Sequence, residues 1–221
     1  MTTIDAPTSP TGRRLRADAA RNQQRILEAA RELFALRGLD ISLDDVAAHA
    51  GVGVGTVYRR FANKQELIDG VFEDGVNRMS ESAELALKTD NAWDGLVTYF
   101  EYVLHNFACS RGFAEVVKGS TEGRERFTSM RDRMRPAVEE LIQRAKDEGS
   151  LRADAAPQDF FAMIFMVDSI AQFARPVNPD VWRRYFGLVL DGLRADGFPR
   201  EAITTPPMTD REIETAKTSC L

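Results

Sequence analysis

Apolar positions recur with a helical period along nearly the whole chain, and long alternating runs of β-branched residues are missing. The pattern predicts a first helix over about residues 17–37, with Ile26, Ala30, Leu33 and Phe34 as its apolar stripe and Gly38 as its C-cap. Two short helices follow, residues 43–50 and 54–61. Ser42 is placed to cap the first of these, and Asp44 and Asp45 lie in its first turn, where acidic groups are favoured. Asn63 and Glu66 form a capping-box pattern for a fourth helix running to about Leu87. Further helices are predicted over residues 93–107, 122–148, 159–173 and 181–193. Pro136 either kinks the long one or divides it. The helix over 159–173 is apolar on more than one side and so is expected to be buried on more than one side, one of them against a partner chain.

The expected fold is therefore all-α. A flexible basic leader (1–16) precedes a three-helix helix-turn-helix unit (17–63), a larger helical domain (64–200) and a flexible tail (201–221). Charge follows the same division. The net charge of the 221 residues is -5, yet residues 13–64 hold ten Lys/Arg against six Asp/Glu, and residues 65–221 hold nineteen against twenty-seven. A basic head on an acidic body suits a protein that meets a polyanion with one end. No apolar run is long enough to span a bilayer, and the two cysteines, Cys109 and Cys220, make a poor disulfide framework, so a reduced cytoplasm is the expected setting. His105 and Cys109 share a helix face, but two groups without a third do not make a metal site. No cofactor is expected, and no nucleophile–base set, phosphate loop or carboxylate pair suggests an enzyme.

The most informative stretch is SLDDVAAHAGVGVGTVYRRFANKQE, residues 42–66. Two short helices meet at Gly51, Ala47 allows them close approach, and Val46, Val52 and Val57 can fill the space between. Such a unit offers its second helix to a DNA major groove. Val54 and Gly55 open that helix, Val54 offering apolar contact to a thymine methyl. Thr56 either bonds a phosphate, touches a thymine methyl or makes a local helix bond. Tyr58 either donates to a phosphate oxygen or packs on the first helix. Arg59 and Arg60 are adjacent, and one can read a base while the other clamps a phosphate; the sequence does not decide which. Lys64, unfavourable to the dipole at a helix start, is either compensated by an external anion or plainly solvated. Arg13, Arg14 and Arg16 form either a DNA-binding arm or a solvated leader.

This stretch resembles the TetR family of bacterial transcriptional regulators, whose pattern AGVxxGTxYxxFxxKxxL is matched by Ala50, Gly51, Val52, Gly55, Thr56, Tyr58, Phe61, Lys64 and Leu67, with Phe34, Gly38 and Ser42 upstream. Gly53 departs from it, standing where the family commonly has serine. The resemblance implies a homodimer on a palindromic operator, with Ser42 and the recognition-helix residues at the DNA, the last two helices pairing with their copies, and a small inducer held among the middle helices. Candidates for that contact are Phe100, Leu104, Phe107, Met130, Met134, Phe165 and Asp168. Each apolar one can equally be ordinary core, and Asp168 either meets a polar ligand atom or faces solvent. The expected function is a repressor released by a small, mainly apolar ligand; the alternative is a regulator of the same form that activates or answers to a protein partner.

Overall fold

The computed structural model describes residues 10–108, 112, 115, 121–197, 204 and 206–219. Its helices are α1 (Pro10–Arg37), α2 (Leu43–Ala50), α3 (Val54–Arg60), α4 (Lys64–Leu87), α5 (Ala92–Ala108), α6 (Thr121–Asp147), α7 (Pro157–Ala174), α8 (Trp182–Leu193) and α9 (Asp210–Ser219). The fold is all-α; among the described residues the sole β feature is one isolated antiparallel bridge between Leu151 and Arg194. Contacts divide the chain into two compact units, residues 1–74 and 75–221, with the boundary inside α4.

In the first unit α1 packs on α2, and α2 on α3. Ile26, Ala30, Leu33 and Phe34 of α1 are buried, as are Val46 and Ala47 of α2 and Val57 of α3. Val52, expected to share that space, is only half-buried. The α2 ends are closed by local chemistry. Ser42 Oγ accepts from the Asp45 N–H at 3.0 Å, and the Asp45 carboxylate accepts from the Ser42 N–H at 2.8 Å. At the other end Gly51 adopts φ 63°, a left-handed conformation that residues with a Cβ resist, and the Val52 N–H returns to the Ala47 carbonyl at 3.0 Å. At α4, Asn63 Oδ1 accepts from the Glu66 N–H at 2.9 Å; Glu66 reaches back to the N–H of Ala62 rather than to that of Asn63.

α1 begins at Pro10, ahead of the expected Ala17. Proline is tolerated in a first helical turn, and the Arg/Leu/Ala-rich residues behind it are good helix formers. The side chains of Arg13, Arg14 and Arg16 lie outside the described residues.

In the second unit α5 packs against α6 and α7, and α7 against α6, α8 and α9. Leu96, Phe100, Leu104, Leu141, Phe160, Met163 and Trp182 are fully buried or nearly so. Phe100 of α5 stacks on Phe160 of α7 at 4.8 Å between centroids. The end of α6 organises the α4–α5 turn: Glu148 accepts from the Ala92 N–H at 2.8 Å, and Arg144 donates to the carbonyls of Leu87 and Thr89. Pro136 does not divide α6, which is one helix across it.

The tail expected to be flexible instead contains α9. Thr209 caps it, its Oγ1 accepting from the Glu212 N–H at 3.2 Å while Glu212 accepts from the Thr209 N–H at 2.7 Å. Met208 is buried with Ala174 and Val181, and Ile213 packs on the same cluster. That apolar contact anchors the segment despite its polar composition.

Candidate DNA-binding face and effector cavity

α3 has seven residues, of which only Val57 is buried. The helix is held by one inward side chain and presents the rest. Val54 and Tyr58, four apart and so on one face, are 44% and 50% exposed, high values for large apolar or aromatic groups. Gly55 is exposed, and a Cβ there would meet nothing within 4 Å. Arg59 Nε donates to the Gly55 carbonyl at 3.0 Å and its Nη2 to Thr56 Oγ1 at 3.4 Å, so this guanidinium lies along its own helix. Arg60 instead donates to Gln23 Oε1 on α1. Lys64 opens α4, and neither it nor Tyr58 has a hydrogen-bond partner among the described residues. Ser42 is exposed, its hydroxyl engaged with Asp45. The face is thus basic and carries an apolar group, an aromatic hydroxyl and a glycine at which another surface can approach closely.

The second unit contains a cavity of about 200 Å³. Met79 of α4 and Tyr99, Phe100 and Val103 of α5 form one wall; Phe127, Met130, Met134 and Val138 of α6 and Phe160, Phe161 and Ile164 of α7 form the others. Arg131, Arg135 and Glu139 of α6 and Pro157 and Gln158 complete it. The lining is mostly apolar with a few polar groups, the usual make-up of a small-molecule site. Tyr99 is 2% exposed and makes no hydrogen bond among the described residues. Burial pushes its phenol up to about 12, so the hydroxyl keeps its proton at neutral pH.

Two family descriptions match the chain: "Bacterial regulatory proteins, tetR family" over residues 26–71, and "Transcriptional regulator SbtR-like, C-terminal domain" over residues 91–195. A TetR transcription regulatory protein from Mycobacterium vanbaalenii superimposes with a TM-score of 0.66 at 30% identity, covering 82% of this chain and 99% of that one. The chain belongs to the TetR family. Two other likenesses are the TetR transcriptional regulator SCO0520 from Streptomyces coelicolor (TM-score 0.62, 26% identity, 79% and 99% covered) and the HTH-type transcriptional regulator SrpR from Pseudomonas putida, 28% identical over 145 residues, 63% of this chain and 68% of that protein.

As a TetR-family member this protein is a DNA-binding transcriptional regulator and not an enzyme. Among the described residues no helix is long and apolar enough to cross a membrane, and no group of three or more His, Cys, Asp or Glu side chains converges on a metal position. Of the residues singled out for ligand contact, Phe100, Met130 and Met134 line the cavity. Leu104 is fully buried core and does not. Phe165 lies outside the lining, its ring 5.0 Å from that of Phe161 and 5.8 Å from that of Phe127. Asp168 faces neither the cavity nor solvent: it is buried and accepts from Gln172 at 3.1 Å. The side chain of Phe107 and all of Cys109 lie outside the described residues, and His105 is exposed. Sequence reasoning missed Tyr99, Phe127, Arg131, Phe160 and Phe161. The α6 members among these were legible, since Phe127, Met130, Arg131, Met134, Arg135 and Val138 fall on one three- and four-residue ladder.

Proposed function

We propose that this TetR-family regulator is a homodimeric repressor that leaves a palindromic operator when a small, mainly apolar molecule occupies the cavity of its second unit. The observation that carries the reading is that cavity, bounded by four helices, open at one side and floored by rings and methionines. At the DNA, Val54 and Gly55 approach base edges, Thr56, Tyr58 and Lys64 hold phosphates, and Arg59 and Arg60 divide base and backbone contacts. Ser42 acts beside them as the cap that fixes α2. Dimerisation uses α7 and α8, where Phe165, Met166 and Leu188 are large apolar side chains 42%, 56% and 46% exposed.

Release is a population shift. Two heads bind successive major grooves only when spaced by about 34 Å, so the ligand acts by preferring a form with another spacing. The same helix, α4, supplies Lys64 to the first unit and Met79 to the cavity wall. The test has two steps. Selection from random DNA yields the operator, expected to be an imperfect palindrome. Heat-stability screening against a mixed library then yields ligands, each of which should weaken operator binding. Ligands that bind the cavity and leave operator affinity unchanged would sink release as the mechanism.

A further inference from the structure

We propose that the occupant of this cavity is an organic acid, its carboxylate held at Arg131 and Arg135 and its apolar body carrying an oxygen at the far end, near Tyr99. The inference rests on the effector reading above and narrows it to a chemical class.

Exposure divides the cavity into a floor and a mouth. Tyr99, Phe100, Met130, Met134 and Phe160 are all buried, whereas Arg135, Glu139 and Gln158 are exposed and Arg131 is partly so. A ligand with one ionised end therefore keeps that end among the α6 side chains, because an unpaired charge on the floor would be costly.

The charged groups at the mouth favour an anion. Arg131 and Arg135 lie four apart on one face of α6 and share a single oxygen of Asp132, Oδ1, at 3.0 and 3.3 Å. A guanidinium has five N–H donors, so two of them sharing one carboxylate oxygen retain donors for a second carboxylate. Glu139 is the one acidic side chain in the lining. It stands four positions beyond Arg135, roughly 6 Å by helical rise, and eight beyond Arg131, roughly 12 Å, so the carboxylate sits at the Arg131 side of the pair, away from Glu139. A cationic ligand meets the opposite situation. The Phe161 face that would receive it already has the Arg131 guanidinium 5.8 Å from its centroid.

Tyr99 supplies the second anchor. Tyr99 is buried as a residue and lines the cavity, and its hydroxyl makes no hydrogen bond among the described residues, so the donor is open to an acceptor on the ligand. An oxygen on the far end of the ligand body is that acceptor.

The experiment is calorimetric titration of the full chain with four matched probes: naphthoate, a hydroxynaphthoate with its hydroxyl on the distal ring, naphthylmethanol and naphthylmethylammonium. The acid should bind about tenfold or more tightly than the alcohol, as expected of a hydrogen bond to a charged group, and the ammonium most weakly. The doubly substituted Arg131→Met, Arg135→Met chain should lose the acid preference and keep its affinity for the alcohol. The hydroxynaphthoate should gain over naphthoate in the wild type and not in Tyr99→Phe. Near-ultraviolet circular dichroism of each variant confirms that it is folded. An alcohol or ammonium that binds as well as the acid, or an acid preference that survives in the double variant, would overturn the acid and leave the effector cavity standing. So would a screen in which none of the four binds but a neutral compound does. If nothing binds saturably, both readings fall. A distal hydroxyl without effect in the wild type overturns the Tyr99 anchor.

Discussion

Arg25 on α1 donates from Nη2 to the backbone oxygen of Ala50 at 2.8 Å, at the C-terminal end of α2. Carbonyls in a last helical turn have no helical donor, and here a charged side chain from another helix provides one. The same nitrogen lies 3.5 Å from the Gly51 oxygen, so one guanidinium ties α1 to the turn that precedes the recognition helix.

Replacing Arg25 by alanine should destabilise the chain by about 1–2 kcal/mol, the range for losing a charge-assisted bond that water partly replaces. Urea unfolding measures this. Operator affinity should fall by a similar factor on matched and mismatched sites, because Arg25 positions the turn and reads no base. A selective loss on the matched site would show instead that Arg25 touches a base.

The two recognition-helix arginines should separate. Among the described residues Arg59 is bonded only within its own helix, whereas Arg60 is bonded to Gln23. Arg59→Ala should relax preference at one base position, at about 1–3 kcal/mol of discrimination. Arg60→Ala should weaken all sites alike, and so should Gln23→Ala to a smaller degree. Competition titrations across single-base operator variants distinguish these patterns.

Lys64→Ala should weaken every sequence similarly and reduce the slope of log affinity against log salt by about 0.9 per subunit, the value for one phosphate contact. An unchanged slope would make Lys64 a solvated lysine.

The cap of α2 should respond to acid. Hydrogen bonds from the Ser42 N–H, then from its hydroxyl, hold the Asp45 carboxyl below the ordinary range, with Arg37 adding to the effect. Its folded value lies below its unfolded value, so the contribution is present above the ordinary value of 3.8 and is lost as pH falls through the depressed one. Asp45→Asn should flatten this part of the acid limb. Ser42→Ala should raise the Asp45 titration midpoint, read by carboxyl NMR, and cost about 1 kcal/mol at neutral pH.

Tyr99 gives the opposite limb. Its folded value of about 12 exceeds the ordinary tyrosine value of 10.0, so its contribution is complete below 10 and disappears as pH rises toward 12. Wild type should therefore lose stability relative to Tyr99→Phe by on the order of 2 kcal/mol across that window. Paired unfolding curves at each pH cancel the titration of the other tyrosines and lysines.

The self-association face can be tested separately from the cavity. Met166→Glu with Leu188→Glu places two charges where exposed apolar groups stand and should give a monomer by sedimentation. A dimer that persists would locate the pairing face elsewhere.

Helices and the recognition motif were legible in the sequence because each is fixed locally. Ser42 and Asp45, Asn63 and Glu66, Gly38 and Gly51 act over a few residues, and their signals survive without knowledge of the rest of the chain. α9 was equally legible in its Thr209–Glu212 box, but the polar composition around it concealed how little apolar surface is needed to seat a short helix. The cavity was the harder case. Leu104, Phe165 and Phe100 look alike in sequence, and only the packing of α5 against α6 and α7 decides that the first is core, the second lies outside and the third is floor. Asp168 shows the same limit: an acidic residue in an apolar run suggests a ligand or solvent, yet it is buried and one partner, Gln172, is one helical turn away.

Pro136 stands in the middle of the wall that bears Met130, Met134 and Val138. Proline has no N–H to return to the carbonyl of Asp132, so the backbone ladder of α6 lacks a rung at the residue whose carboxylate serves Arg131 and Arg135. A helix relieved of one internal bond bends there at lower cost than on either side. For any occupant of the cavity the stacked Phe100 and Phe160 rings are the fixed part of the lining, and the α6 wall at Pro136 is the part that bends at lower cost. On the effector reading proposed above, the floor sets what kind of molecule is admitted and the give in that strip sets how long or bulky it can be, so one protein would answer to a set of related molecules instead of a single compound.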